Sequence, residues 1–259
     1  MKFLKRLQPG WGLLPVVFFL TCWELISRLN LIPGNLLPPF SAVIVEFYHL
    51  STSGILGQNF LSSLTRVMIG FSAGSITGII LGTLMGWYKI ADRALNPLIS
   101  LFYPIPTLGW IPLLMLWIGI NEMLPVMLIF ICSFFPILYN TITGIKNVDR
   151  DYIKAARSLG ASDFQLLTTV VIPLALPNIF TGLRLEAGMA WRVIIAAEMV
   201  AIPTGIGALL MKAESLIRID IIIVCLIVLA IMCLIFEKLF EFLEMKLTSR
   251  WKRYAGNNM

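Results

Sequence analysis

Few residues in this chain have the types and spacing that chemistry asks for. Gly70-Phe71-Ser72-Ala73-Gly74 spells a nucleophile elbow, in which a serine on a strained strand-to-helix turn works beside a histidine base. The only histidine is His49, and the pentapeptide lies inside an apolar run, so Ser72 reads as a member of a packing helix. A GxxxxGKS/T phosphate loop and an HExxH zinc helix are both missing from the sequence. Cys22, Cys132, Cys225 and Cys233 fall in apolar stretches with no CxxC pair, as small buried residues do. No catalytic residue and no metal site is expected. What remains is fixed charge: Arg184, Glu186, Arg192 and Glu198 share one apolar stretch. An ionised group at mid-bilayer costs roughly 3 kcal/mol on insertion scales, so each must face protein, water or another charge.

Those charges need an apolar scaffold, and the composition supplies it. Of 259 residues, 58% are hydrophobic and 13% charged, with a mean hydropathy of +0.88. A soluble domain of this size cannot hide that much apolar surface, whereas runs of about 20 apolar residues joined by short polar links describe a polytopic helical membrane protein. The formal net charge is +6. Lys and Arg gather at span boundaries and not over one surface, which reads as membrane topology and not nucleic-acid binding.

An all-α protein with about six transmembrane helices follows. The first span covers 11–29, uncleaved behind Lys2, Lys5 and Arg6, and leads into an extramembrane Pro, Gly and Asn-rich link over 31–40. Residues 36–61 read as an amphipathic surface helix, and the second span runs over 67–87, bounded by Arg66 and Lys89. Within it Gly70, Gly74, Gly78, Gly82 and Gly86 form one helical row, a seam for close approach of another helix. The third span, 97–120, must bend at Pro104, Pro106 and Pro112, and its freed carbonyls need neighbouring helices or water. The fourth covers 124–145 with Pro136 inside it, the fifth 176–201, and the last is built on 221–236 and continues as a surface helix.

With both termini inside, the inner segments hold Lys2, Lys5, Arg6, Lys89, Arg93, Lys146, Arg150, Lys154, Arg157, Lys246, Arg250, Lys252 and Arg253. The outer segments hold only Arg28, Arg66, Lys212 and Arg218, so the positive-inside rule makes the polar stretch 146–173 cytoplasmic. In it Asp149 or Asp151 caps a short helix through Leu159, and Gly160 supplies the turn. Ser162-Asp163-Phe164-Gln165 has the form of a capping box opening a second helix, which Pro173 ends.

Lys154-Ala155-Ala156, then Gly160, then Val170-Val171-Ile172-Pro173 resembles in register the EAA loop of ABC importer permeases. Lys154 departs from it, standing where that family usually has Glu. Leu37-Pro38-Pro39-Phe40-Ser41-Ala42-Val43, Leu101-Phe102-Tyr103-Pro104-Ile105-Pro106, Phe135-Pro136, Gly182-Leu183-Arg184 and Ala197-Glu198-Met199 extend the likeness over nearly the whole chain, toward the nitrate, sulfonate, taurine and bicarbonate branch. The resemblance implies a type I, MetI-like permease fold in the cell inner membrane. Its organisation would be an N-terminal helix and external connection over 1–60, a transmembrane core over 61–245 with the coupling segment 146–173, and a basic tail over 246–259. The implied partners are an ABC ATPase subunit dimer, a second permease copy and an extracytoplasmic solute-binding protein. ATP and magnesium would be bound by that ATPase, and no cofactor by this chain.

The residues that would meet the ATPase are Lys154, Ala155, Ala156, Arg157, Ser158, Leu159, Gly160, Ala161 and Ser162, with Pro173 at the junction. The small ones allow close backbone approach, and Lys154 and Arg157 can meet acidic groups. Tyr103, Pro104, Pro106 and Trp110 on the bent span, with Arg192 and Glu198 on the fifth, are candidates for the translocation pathway. Thr204-Gly205-Ile206-Gly207 is a candidate gate loop. A guanidinium at Arg192 favours an anion by charge and by bidentate hydrogen bonding. The alternative is that Arg192 pairs with Glu198 or Glu186 to hold helices, from another helix in the first case, since 192 and 198 are offset on one helix. Arg184, near the inner face, suits a snorkelling role.

Other function classes fit less well. A secondary transporter would carry an ion-coupling cluster in its spans and has no use for a capped cytoplasmic segment. A membrane-embedded enzyme needs more than one loop histidine. Among permeases, a carrier of a thiamine or pyrimidine precursor or another small organic solute is the alternative to an anion carrier.

Overall fold

The computed structural model describes residues 14–29 and 36–255, with side chains as far as 247. Lys2, Lys5, Arg6, the centre of the first link and the side chains of Arg250, Lys252 and Arg253 lie outside the described residues. Among the described residues every regular element is helical. Four stretches are long and apolar enough to cross a membrane: Ile55–Trp87, Met123–Lys146, Asp163–Ala201 and Ile219–Leu247. The pair α4 (Lys89–Phe102) and Thr107–Ile118, which ends in α5 (Ile111–Ile118), is bent by 86° and makes a fifth if it counts as one span, so the described residues hold four or five candidate spans where about six were expected. The bend expected from the prolines is there, with Pro104 and Pro106 in the break.

The first helix, α1 (Leu14–Arg28), takes the place of the first expected span and leans on α2 (Phe40–Thr52). Pro39 at the N-cap of α2 provides no side-chain cap. Glu24 of α1 supplies one instead, accepting from the Ser41 amide at 3.1 Å and the Ser41 hydroxyl at 2.9 Å. The expected surface helix over 36–61 is really two elements. α2 stops at Thr52, and α3 (Ile55–Trp87) starts after Gly54 and runs 33 residues without a break. Arg66, taken from its charge as a boundary, is therefore well inside a helix.

α6 (Met123–Lys146) is the axis of the core. The glycine row of α3 lies on it. Cβ atoms on Gly70, Gly74, Gly78 and Gly82 would come within 2.6–2.9 Å of the carbonyls of Val126, Phe130, Phe134 and Leu138. That partner row climbs by four in step with the glycines, so the two helices run parallel. Packing at this distance supplies the dispersion that lipid does not, and it explains why the row contains nothing larger. On its other side α6 runs antiparallel to α9 (Ile172–Ala201), where Gly144 meets Asn178 and Gly182 meets Asn140. After the short α10 (Ile206–Ser215), α11 (Ile219–Ala255) packs along α9, with Phe236 edge-on to Trp191 at 5.3 Å. The apparent nucleophile elbow is plain α-helix, and Gly70 and Gly74 in it are seam residues.

Candidate coupling and pathway sites

The stretch between α6 and α9 is a knuckle of two capped helices. α7 (Arg150–Ser158) is capped by Asp149, whose carboxylate accepts from the Asp151 amide at 2.9 Å. After it the Ala161 amide donates to the Ala156 carbonyl and the Gly160 amide to Arg157. Gly160 stands at φ +86°, where a side chain is strained. Ser162 and Gln165 make the reciprocal capping box at the start of α8 (Asp163–Gln165). Pro173 does not end this helix. α8 passes through a π-helical segment, Leu166–Val171, straight into α9, giving one helical stretch from Asp163 to Ala201. Pro173 lies in the first turn of α9 directly after the π-helical turns, a local change of hydrogen-bond register that tolerates a residue without an amide.

The inner side of the knuckle is fixed to the core through Val148, Leu166 and Val171, all buried. Its outer side is bare. Leu159 is 90% exposed, Phe164 75% and Tyr152 59%, around the small residues Ala155, Gly160 and Ala161. A Cβ on Gly160 would meet nothing within 4 Å, so the chain's own packing does not use that space. Lys154 pairs with Asp151 at 2.9 Å and Arg157 with Asp163 at 2.6 Å. Exposed pairs of this kind contribute about 0–1 kcal/mol, so both cations can exchange partners. The sequence pointed to the small and basic residues here but not to Tyr152 and Phe164, because only the fold shows which apolar side chains are left uncovered.

The other end of the Asp163–Ala201 stretch is locked by charge. Glu198 is 1% exposed and Arg66 is 4% exposed, and they pair at 2.6 Å. The Ser63 hydroxyl donates to the Glu198 carboxylate, as does the Gly207 amide at 2.9 Å. Arg66 also grips Glu122 with two nitrogens, at 2.6 and 2.9 Å, and donates to the carbonyl and hydroxyl of Thr204. Asn59 accepts from the Gly205 amide, and Ser63 from that of Ile206. The 204–207 loop is thus stitched to α3 and α9. Glu198 turns away from the exposed face of its helix, and its partner is Arg66, not Arg192. Arg66 was missed because its charge was read as a span edge. The helical recurrence of Leu56, Phe60, Ser63 and Val67 past it was the available signal.

The remaining pathway candidates lie apart from that lock. Tyr103 faces Tyr139 with ring centroids 4.6 Å apart, at the 86° break that Pro104 and Pro106 create. Trp110 is half-buried against Phe102, 5.9 Å between centroids. Glu186 is buried with the Cys132 thiol 3.5 Å away. Arg184 reaches Glu244 at 3.6 Å. Arg192 is exposed, and its guanidinium lies beside the Met189 sulfur.

Residues 74–249 match the family described as binding-protein-dependent transport system inner membrane component. The chain is 34% identical to the taurine transport system permease protein TauC of Escherichia coli, over 88% of this chain and 85% of that protein. It is also 34% identical to the nitrate import permease protein NrtB of Synechocystis, over 93% and 88%. Among solved structures it is similar to an amino acid ABC transporter crystallised with histidines, at TM-score 0.62 and 21% identity, covering 78% of this chain and 96% of that one. At that identity the structural likeness speaks for the fold alone.

Proposed function

Because this chain belongs to the family of binding-protein-dependent transport inner membrane components, a multi-pass permease subunit of an ABC importer, we propose that it carries a small anion inward on energy supplied by a separate ATPase. The observation that carries this reading is the knuckle at 150–165: capped at both helices, bare on one side, and continuous with a membrane-crossing helix. A socket of small residues ringed by Tyr152, Leu159 and Phe164 suits a groove on an ATPase subunit. A helical stretch that continues through its π turns and Pro177 can transmit the movement of that groove into the membrane.

In this reading Lys154 to Ser162 dock on the ATPase dimer, which binds ATP and magnesium. A second copy of the chain completes the pathway, and an extracytoplasmic solute-binding protein delivers the substrate. The bend at Tyr103, Pro104, Pro106 and Trp110 borders the pathway, and the Arg66–Glu198 lock closes it on the side away from the ATPase. Both termini are cytoplasmic, as the distribution of Lys and Arg supports. The names of TauC and NrtB favour an anion of the taurine and aliphatic sulfonate, nitrate or bicarbonate type.

The test is reconstitution of the permease with its ATPase and binding protein in liposomes, followed by uptake of radiolabelled taurine, nitrate and bicarbonate. ATP-dependent accumulation of one of them that needs the binding protein is the expected result. Absence of ATP-driven uptake of any anion, with uptake of a neutral or cationic solute instead, overturns it.

A further inference from the structure

Of the four charges in the fifth span, three are dealt with inside the chain. Arg184 reaches Glu244, Glu198 holds Arg66, and Glu186 is buried beside the Cys132 thiol. Arg192 differs on every count. It is exposed, and among the described residues it forms no ion pair within 4.0 Å. Its neighbours are sulfur atoms: Met189 Sδ at 4.0 Å, and the Cys233 thiol within hydrogen-bonding reach. The residues around it in the chain, Trp191, Val193, Ile194 and Ile195, are all buried. Arg192 therefore stands on a narrow outward ridge with Leu185, Met189 and Val200.

Such a residue cannot settle against acyl chains, and it cannot escape them by snorkelling. Ala201, the nearer end of the helix, is nine residues away, about 13 Å at 1.5 Å per residue. Helical side chains lean toward the N-terminus, here away from that end. A dry contact of this ridge with its own copy across a two-fold axis offers no acid either, since the ridge presents only Leu185, Met189, Val200 and Arg192 itself. The ridge needs water and a counter-charge.

We propose that Arg192 is an anion-contact residue of the translocation pathway, lining a water-filled space between two copies of the chain, with the Cys233 thiol at its rim. A guanidinium offers paired donors to an oxo-anion such as a sulfonate, nitrate or carboxylate. Glu237 is near enough to act on the Cys233 thiol but forms no ion pair with Arg192 among the described residues, which leaves the guanidinium donors open to an anion in transit. This inference rests on the reading of the chain as an anion permease.

Cys233 is a built-in reporter for the test. In the permease–ATPase complex in lipid nanodiscs, with Cys22→Ser, Cys132→Ala and Cys225→Ala, labelling of Cys233 is timed with two reagents. One is the anionic sulfonatoethyl methanethiosulfonate, the other its cationic trimethylammonium counterpart. With each rate divided by that reagent's rate on a simple thiol in the same buffer, the anionic reagent is expected to react about tenfold faster through local focusing by the guanidinium. Millimolar methanesulfonate should slow it, and Arg192→Gln should erase the preference. A thiol reached only by membrane-permeant N-ethylmaleimide, or reached equally by both charged reagents in the Arg192 protein, overturns the proposal. The second comparison needs no variant at Arg192, so a misfolded Arg192→Gln does not decide the outcome. If the complex lacks ATP-driven anion uptake, the permease reading fails. If it transports anions but labels without regard to charge, only the role of Arg192 does.

Discussion

Arg66 and Glu198, 132 positions apart, meet at 2.6 Å with almost no solvent on either side chain. Each is held by further hydrogen bonds, Glu198 by Ser63 and Gly207, Arg66 by Glu122 and Thr204. A buried pair with its remaining donors and acceptors satisfied can offset the desolvation of both ions, and a half-pair cannot. Arg66→Gln or Glu198→Gln should therefore cost about 3–5 kcal/mol. The double change Arg66→Met with Glu198→Met should cost less than either single change. Thermal unfolding of the purified permease in detergent measures this, and additive losses in the double variant would refute the coupling.

Gly205 sits at φ +111° with its Cα against the Glu198 carboxylate, where a Cβ would overlap the carboxylate atoms. Gly205→Ala should destabilise by about 1–3 kcal/mol from backbone strain alone, and more from displacement of the carboxylate. Limited proteolysis of the 204–207 loop should accelerate in this variant, while Gly57→Ala, where nothing lies within 4 Å, should leave cleavage unchanged.

The glycine seam makes a graded prediction. At Gly74 and Gly78 an added Cβ would come within 2.8 and 2.9 Å of a backbone carbonyl of α6, which cannot swing aside as a side-chain tip can. Alanine at either position should cost about 1–3 kcal/mol as overpacking, and valine more. Thermal unfolding of the purified variants in detergent measures the loss, and an unchanged midpoint for both alanine variants would refute the close seam.

On the knuckle, Leu159→Asp and Phe164→Ala should abolish co-purification with the ATPase, each as a loss of about 2 kcal/mol or more in binding. The melting temperature should not move, since both side chains are largely exposed. Gly160→Val should do the same and in addition strain the turn at φ +86°. Lys154→Glu should change association by less than tenfold, because the pair with Asp151 is exposed and exchangeable.

Much of this was legible in the residues. Four of the expected spans followed from apolar run length, the bend from Pro104 and Pro106, the knuckle from Asp149, Gly160 and the Ser162–Gln165 box. These are local rules, satisfied within a few positions of the residue concerned. The start of α3 was not legible. Arg66 was read as a boundary because an arginine usually marks one, and its pairing with Glu122 and Glu198 depends on residues far along the chain. Pro173 was read as a stop because proline usually is one, and the π-helical turns that carry the chain through it become evident only in three dimensions. The partner of the glycine row was likewise invisible, since the seam itself does not say which helix it meets.

The unbroken stretch from Asp163 to Ala201 puts the knuckle and the Arg66–Glu198 lock on one body. Its 39 residues make a rod of at most about 58 Å at the α-helical rise of 1.5 Å per residue, less what the π turns shorten. Tilting that rod by about 5° around its midpoint displaces each end by roughly 2.5 Å at this length. That is close to the whole 2.6 Å separation of Arg66 and Glu198, so a tilt of a few degrees, if the stretch moves as one piece, is on the scale that parts this pair.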